Sequence, residues 1–485
     1  MKKERDKYEV IVLGSGLGGL VAGTFLAKKN LSVLLLKEKE YKSSFIKKGY
    51  RFIPFSSFSE INLKPNLLQE VSQALNLPFL TLYPEENRQA KAKQKVSFQV
   101  ILPKARIDLF YERSLFQIEL KREFPEEVVL VENFYNEINS LQHLLKKVKN
   151  KGGLQSFFPL QKHSMFKSLF SFETLQKGEM DQRLSPLSRE FKQFIQLQLI
   201  FRGNLYSDQW PMALVAYLLN DESNKTTPHI DLEKLEESIF EQFFQSGGRV
   251  EEIEKVEKVD KEWRKGFILS SDRGEGAFQS EFLIINSPLH RVLNFLSRKR
   301  KQLSKWEKRI HPRYVLLPFF LGIREKVVPV GMKDLLVSIL DLGKPYDDGN
   351  VLCLSLSPKE DETKAPNGRR ALTVESLMPM EKLNPSSLNE YQERVMKHLT
   401  HLFPFLENHI EFVDFQWANE QVSRWSYSHL FYETKSDFHW REGVVPNRLS
   451  RDLFFVGKEN FPYLGLEGEI LSGLVVAKQI VKKFD

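Results

Sequence analysis

The stretch Tyr8-Glu-Val-Ile-Val-Leu13, followed at once by Gly14-Ser-Gly-Leu-Gly-Gly19, decides how this 485-residue chain is read. Val10–Leu13 is a short continuous apolar run, as expected of a strand covered on both faces. Leu20 to Lys29 carries its apolar residues at helical spacing, Asn30 can end that helix, and Val33–Leu36 is a second short buried strand. Strand, glycine turn, helix and strand within about 30 residues form the context that gives a GxGxxG spacing its meaning. Gly14 makes the tight turn, Gly16 lets the backbone approach a diphosphate, and Gly19 lets helix and strand pack closely. The N–H groups at the helix start, around Leu17 and Gly18, then face the anion. Nucleotide binding is the function this pattern predicts.

The end of the second strand departs from that pattern. An acidic residue is expected there to hold the adenosine ribose hydroxyls, yet position 37, 18 residues after Gly19, is Lys37, with Glu38 beside it. Successive strand residues face opposite sides, so Glu38 substitutes only where the strand end bends or slips. Lys37 facing a 2′-phosphate, as basic residues do in NADP sites, and a merely relaxed ribose contact are the alternatives.

Composition narrows the class. With 41% hydrophobic and 28% charged residues, the chain can bury a sizeable core and is neither disordered nor a multi-span membrane protein. The longest later apolar run, Tyr314 to Ile323, falls well short of the roughly 20 residues that span a bilayer. Met1–Lys7 is charged, and no targeting segment is expected. A single cysteine, Cys353, excludes an intrachain disulfide framework or a cysteine-cluster metal site, and it lies in an apolar strand pattern that predicts a core position. No histidine pairing has metal-ligand spacing, so no metal is expected. Seventy-one basic against 63 acidic residues give +8, but the signs are mixed along the chain, which predicts a solvated basic surface and no nucleic-acid partner. A reducing, cytoplasmic setting fits, with contact at the inner face of a membrane left open.

A second signature lies at the other end. Leu453-Phe-Phe-Val-Gly457 reads as a buried strand running into a turn. Pro462-Tyr-Leu-Gly465-Leu-Glu-Gly468-Glu-Ile-Leu-Ser-Gly473 then leads into an apolar helix from Leu474 to Val481. The two ends together resemble the phytoene desaturase-type (carotenoid desaturase-like) branch of the FAD-dependent amine oxidase superfamily. The likeness continues through Gly49-Tyr-Arg-Phe52, Leu102-Pro103, Ile107-Asp108, Arg122-Glu-Phe-Pro125, Ser246-Gly-Gly-Arg-Val250, Phe282-Leu-Ile-Ile-Asn-Ser-Pro288 and Ala365–Thr373, in family order.

The resemblance implies an α/β fold in which a discontinuous Rossmann-like FAD-binding domain is interleaved with an α+β substrate-binding domain. The expected boundaries are 1–65, 225–298 and 440–485 for the first, and 66–224 and 299–439 for the second. It implies FAD as cofactor, held by Gly14, Gly16, Leu17, Gly18, Gly19, Glu38, the Val250 backbone at adenine, and Gly457, Gly465, Leu466 and Gly468. It also implies hydride transfer between flavin and a hydrophobic, polyene-type substrate that is desaturated, saturated or isomerised.

The departures from the family cluster at the cofactor. Its Gly-Gly-Arg after the second strand aligns with Ser43-Ser44-Phe45, its acid after the last Val-Gly with Lys458, a turn glycine with Tyr463, and the glycine pair before the re-entry helix with His229-Ile230. An ammonium has only donors and cannot copy a carboxylate that accepts from hydroxyls. A reshaped flavin site is one reading. The other is a non-catalytic paralogue that binds lipid or a partner such as a homologous enzyme.

The sequence names no catalytic residue by motif. His290, just after the strand ending at Ser287-Pro288, is the candidate acid or base, against a purely structural role. Phe157, Phe158, Phe166, Phe170 and Phe172, with Lys162, His163 and Lys167, read either as a membrane-facing amphipathic element or as a buried helix of the substrate cap.

Overall fold

The computed structural model describes residues 6–38, 45–54, 65–77, 96–110, 112–149, 179–207, 210–219, 232–262, 266–271, 274–296, 300–384, 387–424, 429–434 and 444–484. Ser43, Ser44, His229-Ile230 and the Phe157–Phe172 stretch lie outside them.

The first strand, Asp6–Leu13, sits inside a seven-stranded sheet. On one side it pairs in parallel with Val33–Glu38, which pairs in parallel with Arg249–Ile253. On the other it pairs in parallel with Gly274–Ile285, and Leu453–Phe455 lies along the end of that strand. Val256–Glu262 and Gly266–Ser271 extend the sheet as an antiparallel meander. One sheet is thus assembled from the beginning, the middle and the end of the chain.

Val10–Leu13 and Val33–Leu36 are apolar without a break because both faces of the sheet are covered there. Val10, Val12, Val33 and Leu35 pack under a layer formed by the helices Leu17–Lys28, Leu232–Gln245 and Leu466–Val481. The alternate residues Ile11, Leu13, Leu34 and Leu36 join the larger core on the opposite face.

That larger core belongs to a nine-stranded, mostly antiparallel sheet, α+β with its helices. Its spine is Ile310–Arg324, paired over its length with Arg369–Pro379. The apolar run Tyr314–Ile323 is therefore a central strand. Among the described residues no helix is long and apolar enough to cross a membrane. The charged segment before Arg369 joins the strands Val351–Leu356 and Arg369–Pro379 as a hairpin, as its Pro366 and Gly368 predict. Cys353 is buried between Val337 and Glu375, and burial pushes its thiol well up, so it is a core residue.

Much of the phenylalanine goes into edge-on aromatic packing. Phe191, at the start of the helix Arg189–Gly203, stands edge-on to Phe124 at 5.1 Å and to Phe134 at 5.8 Å. Such T-shaped contacts add to the area each ring buries.

Candidate functional site

The glycine loop leaves the first strand between the ends of its two neighbours. Gly14 N–H donates to the Leu36 carbonyl (2.9 Å), and Asn286 N–H, just past the strand Gly274–Ile285, donates to the Leu13 carbonyl (2.8 Å). The connections diverge at this point, which is where an open α/β sheet forms its ligand crevice. Gly14 has φ +101°, and a Cβ there would sit 2.1 Å from the Asn286 carbonyl oxygen, so only glycine makes this turn.

Gly16 is the N-cap of the first helix and offers no side chain to its open N–H groups. They are met from the other end of the chain: Gly18 N–H donates to Glu469 Oε1 at 3.3 Å in a buried contact. A Cβ on Gly16 would lie 2.6 Å from Glu469 Oε1 and 2.6 Å from Asn286 Oδ1, and one on Gly19 would lie 2.6 Å from the same Asn286 oxygen. The close approach that Gly16 allows is therefore used here by two side chains. Asn286 holds its place by donating through Nδ2 to the Val456 carbonyl (3.0 Å), while its buried Oδ1 has no hydrogen-bond partner.

The last helix is brought in by a second glycine contact. A Cβ on Gly473 would meet the Gly18 carbonyl oxygen at 2.2 Å, so the first and last helices touch backbone to backbone. Glu469 lies four residues, about one turn, before Gly473 and so shares the face turned to the first helix. Leu17 and Leu466 are buried in the core between the helices and the sheet.

The remaining expected contacts are placed differently from one another. Gly465 carries the positive φ of the C-terminal turn (+55°) and packs on the Arg202 carbonyl, leaving Tyr463 buried in a 3₁₀ turn with its backbone carbonyl against Gly203. Gly468 is needed for contact with the Phe461 carbonyl, 2.4 Å from where its Cβ would be. Gly457 N–H is taken by Asn460 Oδ1 (2.8 Å). Val250 stands in its strand opposite Leu35. The second strand runs in register through Lys37 and Glu38, opposite Glu252 and Ile253. The Lys37 ammonium lies 5.8 Å from the Phe240 ring centroid, on the helix Leu232–Gln245.

Charged and titratable groups gather behind the crevice. Lys458 is half-buried, and burial pushes its ammonium down against the pull of Glu469 and Glu459. Glu459 is buried and accepts from Leu289 N–H at 3.0 Å; burial pushes its carboxyl up. Tyr432 donates to Glu459, and burial and that carboxylate push the phenol far up. Burial, then Lys458, hold His429 well below the usual histidine range. His290 is half-buried on the helix Leu289–Phe295, one residue from this cluster, and is pushed down by burial and Arg291. Among the described residues no group of acids, histidines and cysteine has the arrangement to hold a metal. A groove of about 830 Å³ lies elsewhere, between the helices Arg113–Glu123 and Val128–Lys149, and none of its lining residues belongs to either glycine signature.

Glu469, Asn286, Glu459 and Asn460 escaped the sequence reading. For Glu469 a signal existed, namely an acid in an apolar helix, one turn from a packing glycine. Asn286 was quoted only as part of the strand end, and nothing in its neighbours marks it as the residue between two helices.

The profile of the flavin containing amine oxidoreductases matches residues 55–481, and that of an FAD binding domain matches residues 9–56. The chain belongs to the flavin containing amine oxidoreductase family. Prolycopene isomerases 1 and 2 of an Oncidium hybrid cultivar are 30% identical over 155 residues, which cover 29% of this chain and 24% of each relative. That local match agrees with the resemblance to the phytoene desaturase-type branch and spans about a quarter of each relative's length. An oxidoreductase from Methanosarcina mazei superposes with a TM-score of 0.60 at 14% identity, covering 98% of this chain and all of the other. Putrescine oxidase superposes at 0.62 and 12% identity, over 99% of this chain and all of its own. At such identities these likenesses establish the fold.

The family's cofactor is FAD, and this crevice has the backbone for it: an open helix start, Gly14 and Gly16 beneath it, and the polar Asn286 oxygen aimed across it. At that helix start the Glu469 carboxylate accepts from Gly18 N–H.

Proposed function

We propose that this family member is an FAD-dependent oxidoreductase acting on a hydrophobic polyene, which it desaturates, saturates or isomerises. The observation that carries the substrate class is the 155-residue match to the prolycopene isomerases. Bound flavin supplies the hydride acceptor or donor, and the protein supplies a dry, preorganised seat for the substrate carbon. His429 and His290, both held neutral at physiological pH by their surroundings, are the nearby groups able to accept a proton.

The test is anaerobic mixing of the protein loaded with oxidised FAD, and of the same protein after dithionite reduction, with cis-configured and partly saturated polyenes. Bleaching of the flavin absorbance, or a change in the polyene chromatogram that requires bound FAD, supports the reading. FAD-loaded protein that leaves flavin and every polyene unchanged overturns the substrate class.

A second reading, a non-catalytic lipid or partner binder, draws its support from Glu469 at the diphosphate position and from Lys458 in place of an acid. Purified protein that neither carries flavin nor retains added FAD through desalting would favour it.

A further inference from the structure

A residue outside the expected set, Glu469, lies at the start of the first helix. The start of the first helix concentrates partial positive charge and unpaired N–H groups, which suits an anion. An anion from the chain itself is already there: the Glu469 carboxylate is 7% exposed and accepts from Gly18 N–H at 3.3 Å. A diphosphate and a carboxylate repel, and the two cannot share donors at such distances. The space under Gly16 also admits only one of them, since Glu469 Oε1 and Asn286 Oδ1 already crowd the position of a Gly16 Cβ.

Lys458 offers the displaced carboxylate somewhere to go. It follows Gly457, whose N–H is 3.3 Å from Ser472 Oγ, and that hydroxyl donates to the Glu469 carbonyl at 2.7 Å. Lys458 therefore stands beside the turn of helix that carries Glu469. The other acid of the cluster, Glu459, is engaged by Leu289 N–H.

We propose that Glu469 is an internal competitor for the diphosphate seat, and that Lys458 holds its carboxylate when FAD enters. Lys458, which stands where the family pattern has an acid, then compensates for Glu469: the acid on the last helix closes the empty seat, and the lysine draws it off when the seat fills.

FAD titration followed by flavin fluorescence, with riboflavin as the probe lacking a diphosphate, tests this on the full chain. Glu469→Ala should bind FAD at least tenfold more tightly than the parent, and Glu469→Gln, which keeps the volume and loses the charge, should gain part of that. Riboflavin affinity should not change. Lys458→Met should weaken FAD severalfold in the parent and have no effect in the Glu469→Ala background. Thermal melts identify a variant that fails to fold, in which case Glu469→Gln decides. The proposal is overturned if neither Glu469 variant gains FAD affinity, if riboflavin gains equally, or if Lys458→Met costs the same in both backgrounds.

Discussion

On the helix Ser387–Leu402, against the nine-stranded sheet, His398 is fully buried, yet both ring nitrogens are answered. Nδ1 lies 2.9 Å from the Gly349 carbonyl, which can only accept, so Nδ1 carries the proton and Nε2 accepts from the Ser338 hydroxyl at 3.0 Å. At the crevice the same accounting fails. Asn286 Oδ1 is buried and unanswered, and a carboxylate is packed against a helix start with an ammonium nearby. His398 is closed within its own network, while the crevice holds a buried acceptor with no partner beside the helix start. A closed polar network is evidence of structure, and an open one is where to look for binding.

The glycines divide in the same way, and they give the largest test. Gly473 faces the Gly18 carbonyl, backbone that cannot give way, so Gly473→Val should cost about 3 kcal/mol or more, seen as a large drop in the urea midpoint. Gly16 faces only the ends of two side chains, so Gly16→Ala should cost about 1 kcal/mol or less and act on FAD affinity instead. Equal losses from the two substitutions would break the comparison.

The closed network predicts next. His398→Leu leaves the Ser338 hydroxyl and the Gly349 carbonyl unanswered in the core and should cost about 2 kcal/mol. Burial holds the His398 pKa at about 4, below its unfolded value. The unfolded chain therefore takes up the proton first. Stability from the neutral ring is complete above the unfolded value near 6.5 and is lost as pH falls toward 4, by about 2 kcal/mol at pH 4.5. In His398→Leu that part of the acid loss should vanish, and an unchanged pH profile would contradict it. The smallest expected effect is Glu469→Gln on stability without FAD, within about 0.5 kcal/mol, because the amide oxygen still accepts from Gly18 N–H. A larger loss would make Glu469 a structural cap and move the crevice into the closed class.

Short-range chemistry made much of this fold legible in the sequence. The apolar run into Gly14-Ser-Gly-Leu-Gly-Gly19 has one outcome, because only a strand covered on both faces and a glycine turn satisfy it, and the structure places each where expected. The hairpin at Pro366 and Gly368 and the core position of Cys353 were legible for the same local reasons. What Gly16 faces was not. The sequence predicted open space for a diphosphate there, and the structure fills it with Glu469 and Asn286, which lie 453 and 270 residues further along the chain. At the end of the second strand the sequence left three readings open, among them Lys37 at a 2′-phosphate, and only the packing shows its ammonium 5.8 Å from the Phe240 ring centroid. Local sequence fixes backbone geometry, since steric limits on φ and ψ act within a few residues. Which side chain reaches an open helix start depends on how distant helices pack, and here that was decided by the Gly18–Gly473 contact between the two ends of the chain.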